Sequence, residues 1–172
     1  SFPTSYIKTT GETATRSADV ASIPVADFGY NQSEGTMVAS YYAFSGQGST
    51  TRIAALNDGS TSNSIQMALL DAGTTYHEVR SGGTAVVTTV ISGAITDNAL
   101  TKTALASSAD NHAGVTNGGT VGTDTSGAMP IGITTLNVGS HYSGNFTFNG
   151  HIKSIKYYPR RLTNAQLKDI TT

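Results

Sequence analysis

The 172-residue sequence contains no cysteine and no tryptophan. Disulfides, thiolate catalysis and cysteine-based metal sites are therefore excluded, and no indole is available to stack on a sugar in a deep cleft. Charged residues make up only 12% of the chain and the net charge is −1, so no overall field attracts nucleic acid or an anionic membrane. No apolar run approaches the ~20 residues that span a bilayer. The sequence thus predicts neither a nucleic-acid partner nor membrane insertion.

Short apolar groups recur along the whole chain between Thr, Ser, Asn and Gly residues, which predicts a folded all-β protein. Gly35–Phe44 carries apolar groups on both faces, which predicts a central strand. Thr74–Arg80 and Thr84–Ile91 flank Ser81-Gly82-Gly83, a pattern typical of a hairpin. Roughly ten to twelve short strands separated by turns indicate an antiparallel sandwich. The other predicted strands are Phe2–Thr9, Ala18–Pro24, Arg52–Leu56, Ser64–Leu70, Lys102–Ser108, Ala113–Thr116, Thr120–Gly122, Thr134–Val138 and Phe146–Phe148.

The C-terminal stretch, Gly150–Thr172, predicts a strand that a proline ends, followed by a short helix. Gly150–Tyr158 is rich in β-branched and aromatic residues, and Pro159 removes the next ladder donor. Thr163 followed by Gln166 forms a capping-box pattern at the start of a short amphipathic segment. Because so short a helix is not stable alone in water, we expect it to dock on the sandwich.

The positions that resemble a known family are mostly turn, core and cap residues between Asp110 and Ile170. They are Asn117-Gly118, Leu136–Gly139, Phe148, Gly150, Ile152, Ile155, Tyr157, Tyr158, Arg161, Leu162, Thr163, Gln166 and Leu167. This pattern resembles the concanavalin A-like, or laminin G-like, lectin domains, and the resemblance implies an antiparallel jelly-roll β-sandwich with a short C-terminal helix. Three segments are similar to the versions of this domain found in bacteriophage tail and fibre proteins: Pro3–Ile7, Thr15–Ile23 and the sequence YYPRRLTNAQL. That similarity implies a virion or extracellular location.

No motif in the sequence predicts catalysis. The acids do not form the E-x-D-x-x-E run of sandwich-fold glucanases, no serine lies in G-x-S-x-G, and the four histidines lack zinc-site spacing. We therefore expect a non-catalytic protein. Because the sequence begins at Ser1 rather than Met, we also expect residues 1–172 to be one domain of a longer chain.

Calcium is the one metal that the resemblance suggests, since related lectin domains often bind it. Calcium requires several oxygen ligands from loops, and four aspartates in turn sequences are suitable: Asp58, Asp97, Asp110 and Asp124. They form no D-x-[DN]-x-[DN] run, so a site would need separate loops. Asx-turn chemistry is the alternative explanation for all four.

A surface of hydroxyls, amides and Tyr rings suits sugar recognition, so the leading hypothesis is a carbohydrate-binding module whose partner is a glycan or cell-surface receptor. The candidate ligand-binding residues are Tyr41 or Tyr42, whichever faces outward, together with Tyr76, His77, His141, Tyr142 and Asn145. The alternative is a structural decoration or fibre-tip protein of a virion that assembles with other virion proteins or with copies of itself. A glycan-cleaving enzyme is the third hypothesis.

Overall fold

The computed structural model describes residues 11 and 21–172, except for the side chains of residues 88–92. The predicted strand Phe2–Thr9 and the first part of Ala18–Pro24 lie outside the described residues. Eleven strands and one α-helix follow in chain order. They are β1 (Ala21–Pro24), β2 (Glu34–Ala43), β3 (Thr51–Asn57), β4 (Ser64–Leu69), β5 (Thr74–Ser81), β6 (Thr84–Ala94), β7 (Leu100–Ser108), β8 (Asn111–Thr116), β9 (Gly122–Asp124), β10 (Thr135–Val138), β11 (Gly150–Tyr158) and α1 (Asn164–Thr171), with a 3₁₀ turn at Val25–Asp27.

The strands form two sheets, one six-stranded with the order β1-β10-β3-β4-β5-β6 and one five-stranded with the order β11-β2-β7-β8-β9. Every strand pair within them is antiparallel. The predicted antiparallel β-sandwich with a C-terminal helix is thereby confirmed. The predicted hairpin is the β5–β6 pair, and β2 lies between two neighbours as its two apolar faces indicate.

The main core lies between the two sheets. Strand β2 contributes Met37, Ala39 and Tyr41 to it, and the facing strand β4 contributes Ile65 and Met67. These alternate positions point inward because successive side chains of a strand point to opposite faces. The residues between them therefore lie on the outer face of each sheet, the face that points away from the other sheet.

A second apolar layer lies on the outer face of the five-stranded sheet, where α1 packs. Leu162 and Leu167 are buried there against Val38 and Ala104. Thr163 accepts a hydrogen bond from the Gln166 backbone N–H and its own N–H is bonded by the Gln166 side chain, so the predicted capping box is confirmed. The helix also docks as predicted.

The closing strand β11 ends at Tyr158, directly before Pro159, as predicted. A register shift between Ile152 and Ser154 inserts one extra residue opposite β2. Such a bulge changes the alternation of the strand, so Ile152 and Ile155, three positions apart, both pack against the main core.

Two of the predicted strands are wrong in position or type. Phe146–Phe148 is not a strand, since Thr147 makes only an isolated bridge to Arg52. The reason is that Phe146 has a φ of 54°, a left-handed conformation that a strand does not allow. The strand predicted at Thr120–Gly122 begins only at Gly122 and runs to Asp124.

Candidate functional site

The outer face of the six-stranded sheet carries a row of polar side chains on β5. Thr75, His77 and Val79 are buried, so Tyr76, Glu78 and Arg80 lie on the outer face. The Tyr76 hydroxyl donates to Oε2 of Glu78. Nη1 of Arg80 donates to Oε1 of Glu78 at 3.3 Å, with the Arg80 side chain 31% exposed. Glu78 is therefore held between a phenol and a guanidinium.

A second arginine reaches the same face from β3. Nε of Arg52 donates to Oε1 of Gln66, which stands on β4 between the two strands. The Arg52 guanidinium carbon lies 5.3 Å from the centroid of the Phe146 ring, a cation–π contact. Nη1 of Arg52 is buried without a hydrogen-bond partner among the described residues. The guanidinium is therefore held in place by two contacts, one with Gln66 and one with the Phe146 ring.

The loop 139–148 lies beside these arginines and supplies the aromatic residues of the site. It closes on itself through a bond from the His141 N–H to the Asn145 carbonyl at 2.9 Å, and it is tied to β3 by a bond from the Arg52 N–H to the Phe146 carbonyl at 2.8 Å. The His141 ring lies 4.4 Å from the Tyr142 ring and 5.8 Å from the Phe146 ring, measured between centroids. Tyr142 and Phe146 are 37% and 48% exposed, so large apolar surfaces remain accessible here.

We call this group the arginine–aromatic cluster. Its members are Arg52, Gln66, Tyr76, Glu78, Arg80, His141, Tyr142 and Phe146. Burial raises the pKa of Tyr76, and its hydrogen bond to Glu78 raises it further. Burial also lowers the pKa of His141, and the positive charge of Arg52 adds to this effect. The His141 imidazole is therefore uncharged at neutral pH, and the two arginine side chains of the cluster suit an anionic ligand.

The predicted site residues divide into three groups. Tyr76, His141, Tyr142 and Asn145 lie at or beside the cluster, with Asn145 exposed in the loop. Tyr42 stands on the outer face of the other sheet, paired with Leu100 of β7 and His151 of β11. The remaining two, Tyr41 and His77, are buried in the interior and do not reach a surface ligand.

His77 lies in a polar bridge between the two sheets. Its Nε2 is 3.3 Å from the Thr103 hydroxyl, which is in turn 2.9 Å from the Thr116 hydroxyl. Thr116 then contacts the Thr75 hydroxyl at 2.8 Å. Burial lowers the pKa of His77 to about 3, so the imidazole is neutral at physiological pH. Its role is internal.

Five members of the cluster were not among the predicted residues: Arg52, Gln66, Glu78, Arg80 and Phe146. A signal was present for two of them, because Tyr76, Glu78 and Arg80 alternate on one face of a predicted strand. Arg52 and Phe146 have no comparable signal in the sequence, since a bulge and a loop closure bring them to this face.

The four calcium candidates accept hydrogen bonds or form turns. Asp58 accepts from Ser60 and Asn63, Asp97 from Ser45, and Asp124 from Ser126. Asp110 has a φ of 53°, and both it and Asp124 lie near His112. Within the described part of the chain, no group of three His, Cys, Asp or Glu side chains is placed to hold a metal ion.

Several solved structures share this fold. The CBM40 of the Ruminococcus gnavus IT-sialidase bound to α2,6 sialyllactose has a TM-score of 0.73 at 17% identity, over 92% of this chain and 96% of that chain. The leech intramolecular trans-sialidase has a TM-score of 0.71 at 18% identity, over 85% of this chain and 24% of that chain. The SAP-like pentraxin of Limulus polyphemus has a TM-score of 0.61 at 15% identity, over 81% and 70%. At these identities the likeness concerns the fold, which is the lectin-like sandwich expected from the sequence.

No protein-family model matches the chain, and a comparison with curated proteins also gave no match. None of the helices in the described residues has the length and apolar character needed to cross a membrane.

Proposed function

We propose that this chain is a non-catalytic carbohydrate-binding module that recognises acidic glycans, with sialic acid as the terminal sugar. The observation that carries the proposal is the arginine–aromatic cluster, in which the Arg52 guanidinium lies against the exposed Phe146 ring and a second guanidinium, that of Arg80, stands on the same outer face. The fold supports it, since a CBM40 module of the same architecture has been solved with sialyllactose.

The chemistry of the cluster matches the two parts of an acidic sugar. A carboxylate binds best to a guanidinium, and Arg52 brings a guanidinium to this face against the exposed Phe146 ring. Arg80 adds a second positive charge on the same face. The exposed rings of Tyr142 and Phe146 suit the apolar side of a pyranose or an N-acetyl methyl group.

A binding role fits the cluster better than hydrolysis. Glycosidases use two carboxyl groups on either side of the scissile bond. Among the described members of the cluster Glu78 is the one acid, and its two oxygens accept hydrogen bonds from Tyr76 and Arg80. We extend the proposal to an extracellular location; placement in a phage tail or fibre rests on the sequence resemblance alone.

The test is calorimetric titration with α2,3-sialyllactose and α2,6-sialyllactose, with lactose as the uncharged control. We expect binding of the sialylated sugars and none of lactose at the same concentrations. Arg52→Gln and Arg80→Gln should each weaken binding about tenfold or more, the usual loss for a charged hydrogen bond.

Lys153→Gln is the matched control, because it removes one positive charge from an exposed position on the other sheet. Equal affinity for lactose and sialyllactose would overturn the acidic-sugar proposal. Unchanged affinity in both arginine variants would show that the ligand binds elsewhere.

A further inference from the structure

A cavity on the opposite side of the sandwich has the features of a second site. It has a volume of about 280 Å³ and lies on the outer face of the five-stranded sheet, beside the end of α1. Two lysines and two serines line the cavity, together with a valine, an isoleucine and a tyrosine. The lining residues are Val38, Ser40, Lys102, Ser154, Lys156, Tyr158 and Ile170.

The strand register explains how the polar groups converge. Ser40 of β2 is paired with Lys102 of β7 on one side and with Ser154 of β11 on the other. Lys156 stands two residues beyond Ser154 on the same face. From strand spacing the two lysine Cα atoms are roughly 12 Å apart. Long lysine side chains that start on either side of Ser40 can therefore reach over the serine hydroxyls from two directions.

The hydrogen-bonding groups of this cavity are largely unused. The ammonium of Lys102 donates to a main-chain oxygen of Thr172, which holds it at the wall and leaves two of its three N–H groups for a ligand. Among the described residues, the Lys156 ammonium and the hydroxyls of Ser40 and Ser154 have no protein partner. The lining contains no acidic side chain. Two cations above two hydroxyls form a complementary setting for an anion with several oxygens.

We propose that this cavity is a second binding site, independent of the arginine–aromatic cluster, for a sulfate or phosphate ester such as one carried on a sugar. Lysine binds such groups as a point charge, and the serine hydroxyls can donate to the remaining oxygens. The cavity is also large enough to admit part of a pyranose ring next to Tyr158. The two sites lie on opposite outer faces, so one module could contact two acidic groups at once.

The test is an NMR titration of the isotope-labelled 172-residue chain with sodium sulfate, glucose 6-phosphate and glucosamine 6-sulfate at constant ionic strength. Saturable shifts of the amides of Ser40, Lys102, Ser154 and Lys156 are expected, with unsubstituted glucose giving none. Preference for one of the two esters would identify the natural substituent. Shifts that rise linearly without saturation would indicate only a loose ion atmosphere and would overturn the site.

Lys102→Gln and Lys156→Gln should each weaken anion binding about tenfold. Lys153 is an exposed lysine of β11, the strand of Lys156, but does not line the cavity. Lys153→Gln should therefore leave anion binding unchanged. Arg52→Gln should also leave anion binding at this cavity unchanged. The experiment therefore tests the cavity separately from the arginine–aromatic cluster. Full retention of saturable binding in both cavity-lysine variants would overturn the assignment.

Discussion

Acidification should destabilise this protein through one buried imidazole. His77 has no exposed surface, and its Nδ1 is without a hydrogen-bond partner among the described residues. Its pKa falls from 6.5 to about 3 because burial disfavours the charged form. The unfolded chain, in which the imidazole is in water, therefore takes up a proton first. The stability that His77 contributes is complete above pH 6.5 and is lost as the pH falls toward 3.

The magnitude follows from the same shift. While only the unfolded state is protonated, the free energy of unfolding falls by about 1.4 kcal/mol per pH unit. Over the interval between the two pKa values of His77 the total loss is roughly 5 kcal/mol. That is comparable to the whole stability of many domains. Between pH 6.5 and 4.5, before most carboxylates titrate, we therefore expect the free energy of unfolding to fall by about 3 kcal/mol.

The assay is urea unfolding followed by circular dichroism at several pH values between 7 and 4.5. Burial also lowers the pKa of His112 and His141, so the wild-type slope alone does not identify the group. The comparison is with His77→Leu, in which Thr103 keeps its bonds to the Val115 carbonyl and the Thr116 hydroxyl. In the variant the free energy of unfolding should depend on pH less steeply, by the uptake of about one proton, and His151→Gln, at an exposed position, serves as the control. Parallel pH curves for wild type and His77→Leu would refute this explanation.

Two further substitutions test the closing strand and the loop of the candidate site. Ile155→Asp puts a carboxylate against the main core and should lower the free energy of unfolding by about 4 kcal/mol, seen as loss of the folded circular dichroism signal. Lys153→Asp, at the exposed bulge, should have only a small effect on stability. An unchanged melting curve for Ile155→Asp would mean that the strand is assigned wrongly. Phe146→Gly should be about 1 kcal/mol more stable than Phe146→Ala because φ at this position is 54°. Both variants remove the aromatic ring, so both should bind sialyllactose more weakly. Equal stability of the two would contradict the left-handed conformation.

The fold was predictable where local chemistry and periodicity agree. Gly35–Phe44 carries apolar groups on both faces and forms the interior strand β2, and Thr163 with Gln166 sets the start of α1. The predicted strand at Phe146–Phe148 failed because apolar composition does not reveal a left-handed residue within it. Composition likewise suggested tyrosines and histidines as ligand contacts, but it could not separate buried His77 from accessible Tyr76, its neighbour on the same strand.

The candidate site depends on Arg52, which simple strand alternation would place on the wrong face of β3. Leu56 and Ala54 of β3 both face the main core, and continued alternation would turn Arg52 inward as well. A register shift between Arg52 and Ala54 inserts an extra residue, so Ile53 takes the inward position. Arg52 is thereby turned to the outer face, where it meets Phe146 and Gln66. The bulge removes a guanidinium from the core, where its charge would be costly, and places it on the face where we propose that an acidic sugar binds.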